Sequence, residues 1–291
     1  MPIKESELIL NPDGSVYHLN LRPEHVGDTV ITVGDPDRVN SVTAHFDSIE
    51  FKIQKREFHT QTGFYNGKRI TVISTGIGTD NIDIVLNELD ALVNLDLAKR
   101  EVKKNTRSID IIRIGTSGAI QEDIPIDSYL ISESAIGLDS LMHFYRSEAV
   151  QDYNMYEALK LHLDFDKRKS APYCINAHPD LIAHFKTDKT ILGITATNVG
   201  FYGPQGRTLR LKLQDKHLNE RLKTFKHDNK RITNLEMETA GIYGLSLLLG
   251  HRSISINAII ANRATGTFSK KPKQVVDNLI VYTLDKIVTL E

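Results

Sequence analysis

The chain has 291 residues, and its 36 basic and 37 acidic side chains give a formal net charge of -1 at pH 7. This balance excludes the strong positive field by which many proteins bind nucleic acid, and no apolar run approaches the roughly 18 residues of a membrane-spanning helix. Cys174 is the only cysteine, which excludes an intrachain disulfide and a metal site built from several thiolates. We therefore expect neither a nucleic acid nor a membrane as a partner.

The first ten residues lack the basic and then apolar layout of a secretory signal, because Lys4, Glu5 and Glu7 lie among the apolar residues. Together with the single cysteine, which suits a reducing compartment, this predicts a cytoplasmic protein. The eleven histidines show neither the HExxH spacing nor a cluster with cysteine, so no protein-built zinc site is expected.

Short runs rich in β-branched residues predict strands, and several are almost wholly apolar, which is typical of strands covered on both faces. The predicted strands are residues 29–33, 69–75, 109–114, 129–132, 191–195 and 254–260. Apolar residues at helical spacing predict helices over about 82–93, 238–249 and 273–290. The alternation of strands and helices indicates an α/β protein. Asn66-Gly67 predicts a tight hairpin, so the sheet is expected to be mixed.

Two polar segments are interpreted as surface connections. Residues 97–110 include five basic side chains, which suit either a nucleic-acid patch or a solvated connector, and the lack of aromatic residues favours the connector. Residues 224–233 are rich in Lys, His, Asp and Asn, which predicts a mobile surface loop.

Three predicted strands end in glycine, at Gly34, Gly76 and Gly115. In open α/β sheets the carboxyl ends of the strands form the ligand crevice, and glycine allows backbone N–H groups to approach an anion closely. Any one of these glycines also fits an ordinary turn between a strand and a helix, and none belongs to a Walker A loop. Their occurrence together favours an anion site.

Arg113 interrupts an apolar strand, where a charge is costly to bury without a partner. That partner is either an acidic side chain in an ordinary ion pair or an anionic ligand. Arg38 and Arg56 also flank glycine-rich or strand-edge positions, and the guanidinium fork matches the oxygens of phosphate. Thr116 adds a hydroxyl and a backbone N–H beside them.

Glu236 and Glu238 flank Met237 at the predicted start of a helix. Two acids here fit either compensation of the helix dipole or the binding of two sugar hydroxyls, which donate hydrogen bonds to carboxylates. Residues 201–207 contain an aromatic ring, an amide and a guanidinium, a set that either reads the edge of a base or forms a Gly/Pro turn.

Taken in order, these motifs resemble those of the nucleoside phosphorylase superfamily of the NP-I type, and most closely its uridine phosphorylases. The resemblance runs from about residue 18 to residue 263, and it is specific because several motifs match in both sequence and spacing. The matching motifs are His18-Leu19-Asn20-Leu21, Gly34-Asp35-Pro36-Asp37-Arg38-Val39, Arg56-Glu57-Phe58, Ser74-Thr75-Gly76-Ile77-Gly78, Arg113-Ile114-Gly115-Thr116-Ser117-Gly118-Ala119-Ile120, Gln205 with Arg207, Glu236-Met237-Glu238, and Asn262-Arg263.

The resemblance implies a role for each residue. The phosphate-binding residues would be Gly34, Arg38, Arg113 and Thr116, with Arg56 reaching in from a neighbouring subunit. The ribose-binding residues would be Glu236, Met237 and Glu238, with His18 contributed across the interface. The base-binding residues would be Phe201, Gln205 and Arg207, with Arg263 supporting Arg207. The catalytic residues would be Arg38, Arg113, Thr116, Gln205 and Arg207.

The resemblance also implies a fold and a reaction. The expected fold is a three-layer α/β/α sandwich around a mixed, partly barrel-like central sheet, with one domain over residues 1–291 and an N-terminal arm over residues 1–17. The expected reaction is phosphorolysis of a pyrimidine ribonucleoside, in which uridine and phosphate give uracil and ribose 1-phosphate in nucleoside salvage. The enzyme would be a pentosyltransferase with phosphate as co-substrate and no cofactor. It would assemble as a homodimer or as a hexamer of three dimers, with shared active sites.

Three departures from the family pattern concern the base and an ion. Purine-cleaving members carry a Ser-Asp pair where this chain has Ala261-Asn262, which disfavours purines. Gly203-Pro204-Gln205-Gly206-Arg207 replaces the usual Pro-Gly-Gln-Glu-Arg. Some uridine phosphorylases bind potassium between subunits through a Glu, a backbone carbonyl and a Ser. Glu57 and Ile77 match two of these, but Asn81 stands at the Ser position.

Several alternatives stay open at this point. The substrate could be deoxyuridine, thymidine or a purine nucleoside instead of uridine. A phosphate-independent nucleosidase and a non-catalytic nucleoside-binding protein are the rival functions.

Overall fold

A computed structural model describes residues 2–164 and 166–290. All the strands and helices that the sequence predicts are present. The strands are β1 (Thr29–Val33), β2 (Ser48–Lys55), β3 (Phe58–Tyr65), β4 (Lys68–Ser74), β5 (Leu95–Asp96), β6 (Glu101–Val102), β7 (Asp110–Ala119), β8 (Tyr129–Gly137), β9 (Tyr173–Asn176), β10 (Thr190–Thr197), β11 (Lys226–His227), β12 (Lys230–Glu236), β13 (Arg252–Asn262) and β14 (Thr267–Phe268). The α-helices are α1 (Pro36–Thr43), α2 (Thr79–Asn94), α3 (Tyr153–Leu163), α4 (Pro179–Phe185), α5 (Leu218–Thr224), α6 (Thr239–Leu248) and α7 (Pro272–Val288). None of the helices in these two ranges is long and apolar enough to cross a membrane.

The central sheet is mixed, as predicted. β1 runs parallel to both β4 and β7, and β13 runs parallel to β7, whereas β3 is antiparallel to both β2 and β4. The order across the sheet is β11-β12-β10-β8-β13-β7-β1-β4-β3-β2, with β9 paired to β8 and β14 paired to β13. The carboxyl ends of β1, β4 and β7 therefore meet at one edge of the sheet, where ligands bind in open α/β folds.

Five strands of this sheet close into a ring. β12 pairs with β10 on one side and with β7 on the other, where Asn234 lies opposite Ala119. The ring runs β12-β10-β8-β13-β7 and back to β12, and it is the barrel-like part of the sheet that the family resemblance implies. β7 and β13 belong to both the ring and the open part, which their lengths of 10 and 11 residues allow.

Helices cover both faces of the sheet and give three layers. α2 and α6 pack on one face, where Val30, Ile73 and Ile111 join their apolar cluster. α1, α4 and α7 pack on the other face, together with Ile31 and Ile112. Because successive residues of a strand point to opposite faces, Val30 and Ile31 are both fully buried but in different layers. This double coverage explains why the strands are almost wholly apolar.

The hairpin predicted at Asn66-Gly67 is confirmed. Asn66 and Gly67 have positive φ angles of 47° and 78°, and Tyr65 pairs with Lys68 across the two-residue turn. Positive φ at both central residues gives the turn a twist that matches the twist of its strands.

The prediction of a mobile loop over residues 224–233 is wrong. These residues include the antiparallel pair β11 and β12, and Asp228 and Asn229 form its turn with φ angles of 48° and 61°. β11 is the edge strand, and edge strands commonly carry polar and charged side chains. The polar composition therefore reflects an exposed sheet edge instead of an unstructured loop.

The prediction that β7 ends in glycine is also wrong. β7 continues through Gly115 to Ala119, and Gly115 pairs with Asn257 of β13. Gly34 and Gly76 do follow β1 and β4 as predicted. In the segment 97–110 the short strand β6 is exposed, which agrees with a connector at the surface.

Replacing Gly63 of β3 with alanine is expected to destabilise the sheet. A Cβ at this position would lie 2.1 Å from the carbonyl oxygen of Ser48 and 3.0 Å from the Cα of Ile49. Backbone atoms in a sheet do not move aside cheaply, so Gly63→Ala should lower the free energy of unfolding by about 1–3 kcal/mol. Thermal unfolding should show a Tm several degrees below that of the wild type.

Gly118→Ala is the matched control for this test. Gly118 is also a strand glycine, but the nearest atom to its Cβ would lie at an ordinary 3.6 Å. Its Tm should stay close to the wild-type value. A wild-type Tm for Gly63→Ala would contradict the predicted clash.

Candidate active site

The carboxyl ends of the parallel strands enclose a cavity of about 570 Å³. Residues singled out in the sequence line it from separate segments of the chain: Gly34, Arg38, Gly76, Arg113, Thr116, Phe201, Gln205, Arg207, Glu236, Met237 and Glu238. The wall also contains Ala261, named above for its place in the family pattern, and residues that sequence reasoning missed, among them Leu235, Ile260 and Phe268. Apolar wall residues of this kind give no signal in the sequence that separates them from core residues.

Arg113 is buried in the wall of the cavity, with 5% of its surface exposed. Its Nη2 donates to Glu238 Oε2 at 2.5 Å and lies 3.2 Å from Glu236 Oε2, while its Nη1 donates to Asn257 Oδ1 at 2.8 Å. Burial works against the charged form of Arg113, but Glu236 and then Glu238 outweigh it and raise the pKa of the guanidinium. Of the two kinds of partner that the sequence left open, the chain itself supplies the acidic one.

Gly115 makes room for the side chain of Arg113. A Cβ at Gly115 would lie 1.8 Å from Arg113 Nη1 and 2.7 Å from Asn257 Oδ1. On the neighbouring strand β13, Ser255 is in register with Arg113 and Asn257 with Gly115. Sequence reasoning missed Ser255 and Asn257. Their signal was a pair of polar residues alternating with isoleucine and alanine in the run 254–260.

Glu238 joins the starts of two helices. It is the N-cap residue of α6, and its Oε1 accepts a hydrogen bond at 2.9 Å from the backbone N–H of Gly78, the N-cap residue of α2. Burial raises the pKa of the Glu238 carboxyl, Arg113 opposes this shift and Glu236 adds to it. Helix N-termini carry partial positive charge, so these carboxylates lie where two helix dipoles favour negative charge.

Arg38 brings a second guanidinium to the cavity from α1. Its Nη1 donates to the carbonyl oxygen of Ile114 at 3.2 Å. Burial, and next the charge of Arg113, lower the pKa of the Arg38 guanidinium. The two cations are therefore close enough to repel each other, and an anion bound between them would relieve that repulsion.

The segment 201–207 forms another part of the wall. Arg207 lies over the ring of Phe201, with Cζ 3.7 Å from the ring centroid. Its Nη1 donates to the Phe201 carbonyl at 2.6 Å and to Gln205 Oε1 at 2.7 Å. Gln205 is only 2% exposed, so this amide is held in one orientation.

Arg263 supports this segment through Gln205. Its Nη1 donates to the Gln205 carbonyl, which also accepts from Asn219 Nδ2 at 3.0 Å. Burial, and next the charge of Arg207, lower the pKa of Arg263 to about 10. Arg263 therefore contacts the backbone of Gln205, while Arg207 contacts the side chain of the same residue.

Comparisons with known proteins agree with this arrangement. The family model described as the Phosphorylase superfamily matches residues 28–284. The chain belongs to the phosphorylase superfamily. A uridine phosphorylase of Thermococcus kodakarensis is 32% identical to it over 267 residues, which cover 89% of this chain and 81% of that one. A DeoD-type purine nucleoside phosphorylase of Oceanobacillus iheyensis is 24% identical over 274 residues, which cover 93% and 98% of the two chains.

Solved structures place the superfamily fold on almost the whole chain. The crystal structure of a Trypanosoma brucei nucleoside phosphorylase, which shows uridine phosphorylase activity, has a TM-score of 0.88 at 28% identity and covers 97% of this chain and 100% of that one. A uridine phosphorylase of the oomycete Phytophthora capsici has a TM-score of 0.71 at 21% identity over 100% of both chains, and this match bears on the fold alone.

His18 and Arg56 are absent from the residues that line the cavity of their own chain in the described structure. They lie together on a surface patch instead: the ring of Tyr17 is 4.9 Å from the His18 ring and 5.9 Å from Arg56 Cζ. Glu88 Oε1 lies 2.6 Å from His18 Nδ1, and Arg56 is exposed at the turn between β2 and β3. The two residues that the superfamily resemblance assigns to a neighbouring subunit's site are thus neighbours on one surface.

The turn between β2 and β3 also approaches the loop after β4. A Cβ at Gly76 would lie 2.4 Å from Asn81 Nδ2 and 3.2 Å from Glu57 Cγ. Cations are bound by oxygen atoms, but Asn81 directs its amide nitrogen to this side. Within residues 2–164 and 166–290, no group of three or more His, Cys, Asp or Glu side chains could hold a metal ion. Glu57 and Asn81 therefore both lie against the turn at Gly76.

Removing Arg113 is expected to destabilise the fold of this superfamily member. Arg113→Ala leaves two buried carboxylates without their cation, which should lower the free energy of unfolding by roughly 3–5 kcal/mol. Adding Glu238→Gln neutralises one of those carboxylates and should recover part of the loss. Urea unfolding of the wild type, the two single variants and the double variant gives the four free energies needed. A double variant no more stable than Arg113→Ala would show that carboxylate repulsion is not the cause.

Proposed function

We propose that this protein is a pentosyltransferase that cleaves uridine by phosphorolysis, giving uracil and ribose 1-phosphate. The observation that carries the proposal is a single cavity lined by the buried guanidinium of Arg113, the partly buried guanidinium of Arg38, two carboxylates, and the hydrogen-bonded pair of Gln205 and Arg207. These sets match phosphate, the hydroxyls of ribose and the edge of a base. Membership of the phosphorylase superfamily and the similarity to uridine phosphorylases support the same function.

Phosphate binds between the turn at Gly34 and strand β7. Arg38 and Arg113 supply charge, and Thr116 adds a hydroxyl. α1 begins at Pro36, directly after this turn, so its N-terminal dipole and the backbone N–H groups of the turn favour an anion. This function needs no cofactor beyond phosphate itself as co-substrate.

A further cation comes from a neighbouring subunit. Within one chain the charges of Arg38 and Arg113 are balanced by those of Glu236 and Glu238, so a phosphate dianion calls for more positive charge. Arg56 supplies it in a homodimer, or in a hexamer of three dimers, while His18 from the same patch reaches the ribose. Two-fold symmetry makes such an exchange reciprocal, because each subunit lends its patch to the other. We place this assembly in the cytoplasm.

The base is held by Gln205 and Arg207, with the ring of Phe201 beside it. Gln205 Oε1 already accepts a hydrogen bond from Arg207, which leaves its Nε2 to donate to a base oxygen. As the glycosidic bond lengthens, its electron pair leaves with the base, and charge grows on the uracil oxygens. A preorganised donor aimed at such charge is worth about 3 kcal/mol.

The sugar needs no protein nucleophile. Positive charge develops on the ribose as the bond to the base breaks, and a phosphate oxygen closes on C1′ to form the new bond. The carboxylates of the segment 236–238 and the bound phosphate stabilise that charge. Cys174 takes no part, because burial raises the pKa of its thiol and keeps it protonated.

Among the described residues that line the cavity, the segment 260–263 supplies no acid, which disfavours a purine. Ala261 lines it, whereas Asn262 is turned away, with Nδ2 donating to the carbonyls of Gln121 and Ile124 at 2.8 Å. The cavity-lining acids of the described chain are Asp35, Glu236 and Glu238, none of which belongs to the segment 260–263. A base that must be protonated by an acid in the segment 260–263 therefore finds no proton donor in that segment.

Two other functions are less well supported. A nucleosidase uses water, which carries no charge and so does not call for guanidinium groups at its site. A non-catalytic nucleoside-binding protein would not need to retain Arg38, Arg113 and Thr116 together with the base-binding residues.

Phosphate dependence tests the reaction. Purified protein should release uracil from uridine only when phosphate is present, and ribose 1-phosphate should form in equal amount. The control replaces phosphate with chloride at the same ionic strength. Equal uracil release without phosphate would refute the proposal in favour of hydrolysis. A panel of uridine, deoxyuridine, thymidine, inosine and adenosine at saturating phosphate then ranks these nucleosides as substrates.

Mixing two inactive variants tests the shared site. Arg38→Ala disables a subunit's own cavity, and Arg56→Ala disables the patch that it lends. After subunit exchange, hybrid dimers should recover activity in up to about a quarter of all sites, because one site of each hybrid has both arginines. Mixing Arg38→Ala with the Arg38→Ala/Arg56→Ala double variant is the control and should recover none. No recovery in the first mixture, with exchange proven, would count against the shared site.

A further inference from the structure

The inside of the five-strand ring carries polar side chains. Ile194 of β10 joins an apolar cluster with residues of α3 and α5, and Ile256 of β13 joins another with residues of α4 and α7. Because successive residues of a strand point to opposite faces, Thr195 and Asn257 point away from these helices and into the ring. A buried polar group is costly unless it is hydrogen-bonded, so these side chains need partners inside the ring.

A chain of hydrogen bonds begins at Arg113 on β7 and passes to the next two strands of the ring. Arg113 Nη1 donates to Asn257 Oδ1 at 2.8 Å, and Asn257 Nδ2 donates to Ser132 Oγ of β8 at 3.4 Å. Ser132 Oγ is hydrogen-bonded to Thr195 Oγ1 of β10 at 2.5 Å. The chain therefore follows the order of the strands around the ring.

The chain then returns to β7. Thr195 Oγ1 donates to Asn234 Oδ1 of β12 at 2.9 Å, and Asn234 Nδ2 donates to Ser117 Oγ at 2.9 Å. We call this chain the ring circuit, and its members in order are Arg113, Asn257, Ser132, Thr195, Asn234 and Ser117. The first and last members line the substrate cavity. The four inner members are each 0% exposed.

The order of donors in the ring circuit follows from Arg113. A guanidinium has N–H donors and no acceptor, so Asn257 presents its oxygen to Arg113 and its amide N–H groups to the ring interior. Thr195 donates its one hydroxyl proton to Asn234, so Ser132 is the donor in its hydrogen bond with Thr195. Each member therefore donates to the next, and the members of such a chain polarise and strengthen one another.

Asn257 holds one end of the Arg113 guanidinium without adding a charge. Glu238 Oε2 accepts from Nη2, and Asn257 Oδ1 accepts from Nη1. Two such contacts fix the plane of the guanidinium, whereas a single one would let it turn. A carboxylate at position 257 could accept the same hydrogen bond, but its negative charge would oppose the binding of an anion. The amide supplies the contact and leaves the charge of Arg113 to the ligand.

We infer that the four inner members of the ring circuit are positioning residues, which hold the Arg113 guanidinium in the orientation that binds phosphate. They act through Arg113 and lie behind the wall of the cavity. This inference rests on the proposed function, because it concerns how the phosphate site of that function is kept in place.

Asn257→Leu tests the contact with Arg113 directly. Leucine has the branched shape of asparagine but forms no hydrogen bonds, so Nη1 loses its fixed place. We expect the KM for phosphate to rise by roughly tenfold. The KM for uridine should change by less than about twofold, because the hydrogen bond between Gln205 and Arg207 does not involve Asn257. An unchanged KM for phosphate, or an equal rise in both KM values, would overturn the inference.

Asn94→Leu is the matched control for a loss of stability. Asn94, the last residue of α2, is 3% exposed. Its Oδ1 accepts from the backbone N–H of Arg107 at 2.8 Å, and its Nδ2 donates to Asp90 Oδ1 at 2.6 Å. This variant should lower the Tm and keep both KM values within about twofold of the wild type. KM does not depend on the fraction of folded enzyme, so a purely structural defect at position 257 would give the same result as this control.

Thr195→Val and Thr195→Ser test the ring circuit at a distance from Arg113, with a milder change. Thr195→Val removes the hydroxyl at nearly constant volume and interrupts the circuit between Ser132 and Asn234. The KM for phosphate should rise by about three- to fivefold, less than in Asn257→Leu. Thr195→Ser keeps the hydroxyl and should restore the wild-type KM. Equal KM values in Thr195→Val and the wild type, or no recovery in Thr195→Ser, would overturn the role of the circuit.

The proposed function and this inference fail in different ways. A wild-type protein that does not cleave uridine with phosphate contradicts the function. The rise in Tm on adding inorganic phosphate then replaces KM as the measure of phosphate binding, and it should be smaller in Asn257→Leu than in Asn94→Leu. Equal rises in these two variants would overturn the inference. An active wild type with the contrary KM values contradicts only the inference.

Discussion

The contact between the Arg113 guanidinium and the carboxylates of Glu236 and Glu238 is the interaction on which the site depends. Charges buried this deeply persist only when they are paired and hydrogen-bonded. The pairing joins strand β7 to the start of α6, and the hydrogen bond from Gly78 adds the start of α2. Two helices of one layer therefore point their N-termini at the same place on the sheet edge.

Much of this could be predicted from the sequence because the relevant signals are local. A charge within an apolar strand marks Arg113, and glycine after a strand marks Gly34 and Gly76, each without knowledge of the fold. The strands themselves were predictable since both faces are covered, which makes β1 and most of β4 rich in apolar and β-branched residues. The order of motifs along the chain then identified the family, and with it the layers and the partly closed sheet.

The parts that could not be predicted depend on contacts between distant residues. The cationic character of Arg113 is clear from the sequence, but its pairing with Glu238 joins residues far apart in the chain. The extension of β7 past Gly115 depends on pairing with β13, and the strand character of residues 230–236 depends on pairing with β10. Local composition indicated a turn in the first case and a loop in the second.

The long strand β13 sets distances within the site. It carries Asn257, which holds Arg113, and Ala261, which lines the same cavity four residues further on, at a strand rise of about 3.3 Å per residue. A single irregularity in its pairing with β7, between Ile259 and Ala261, sets which face the last residues present. Inserting or deleting one residue in this stretch would reverse that face. The distance between Arg113 and the part of the cavity lined by Ala261 is therefore set by the backbone of one strand, so a cavity of different length would call for a change in strand register as well as in side chains.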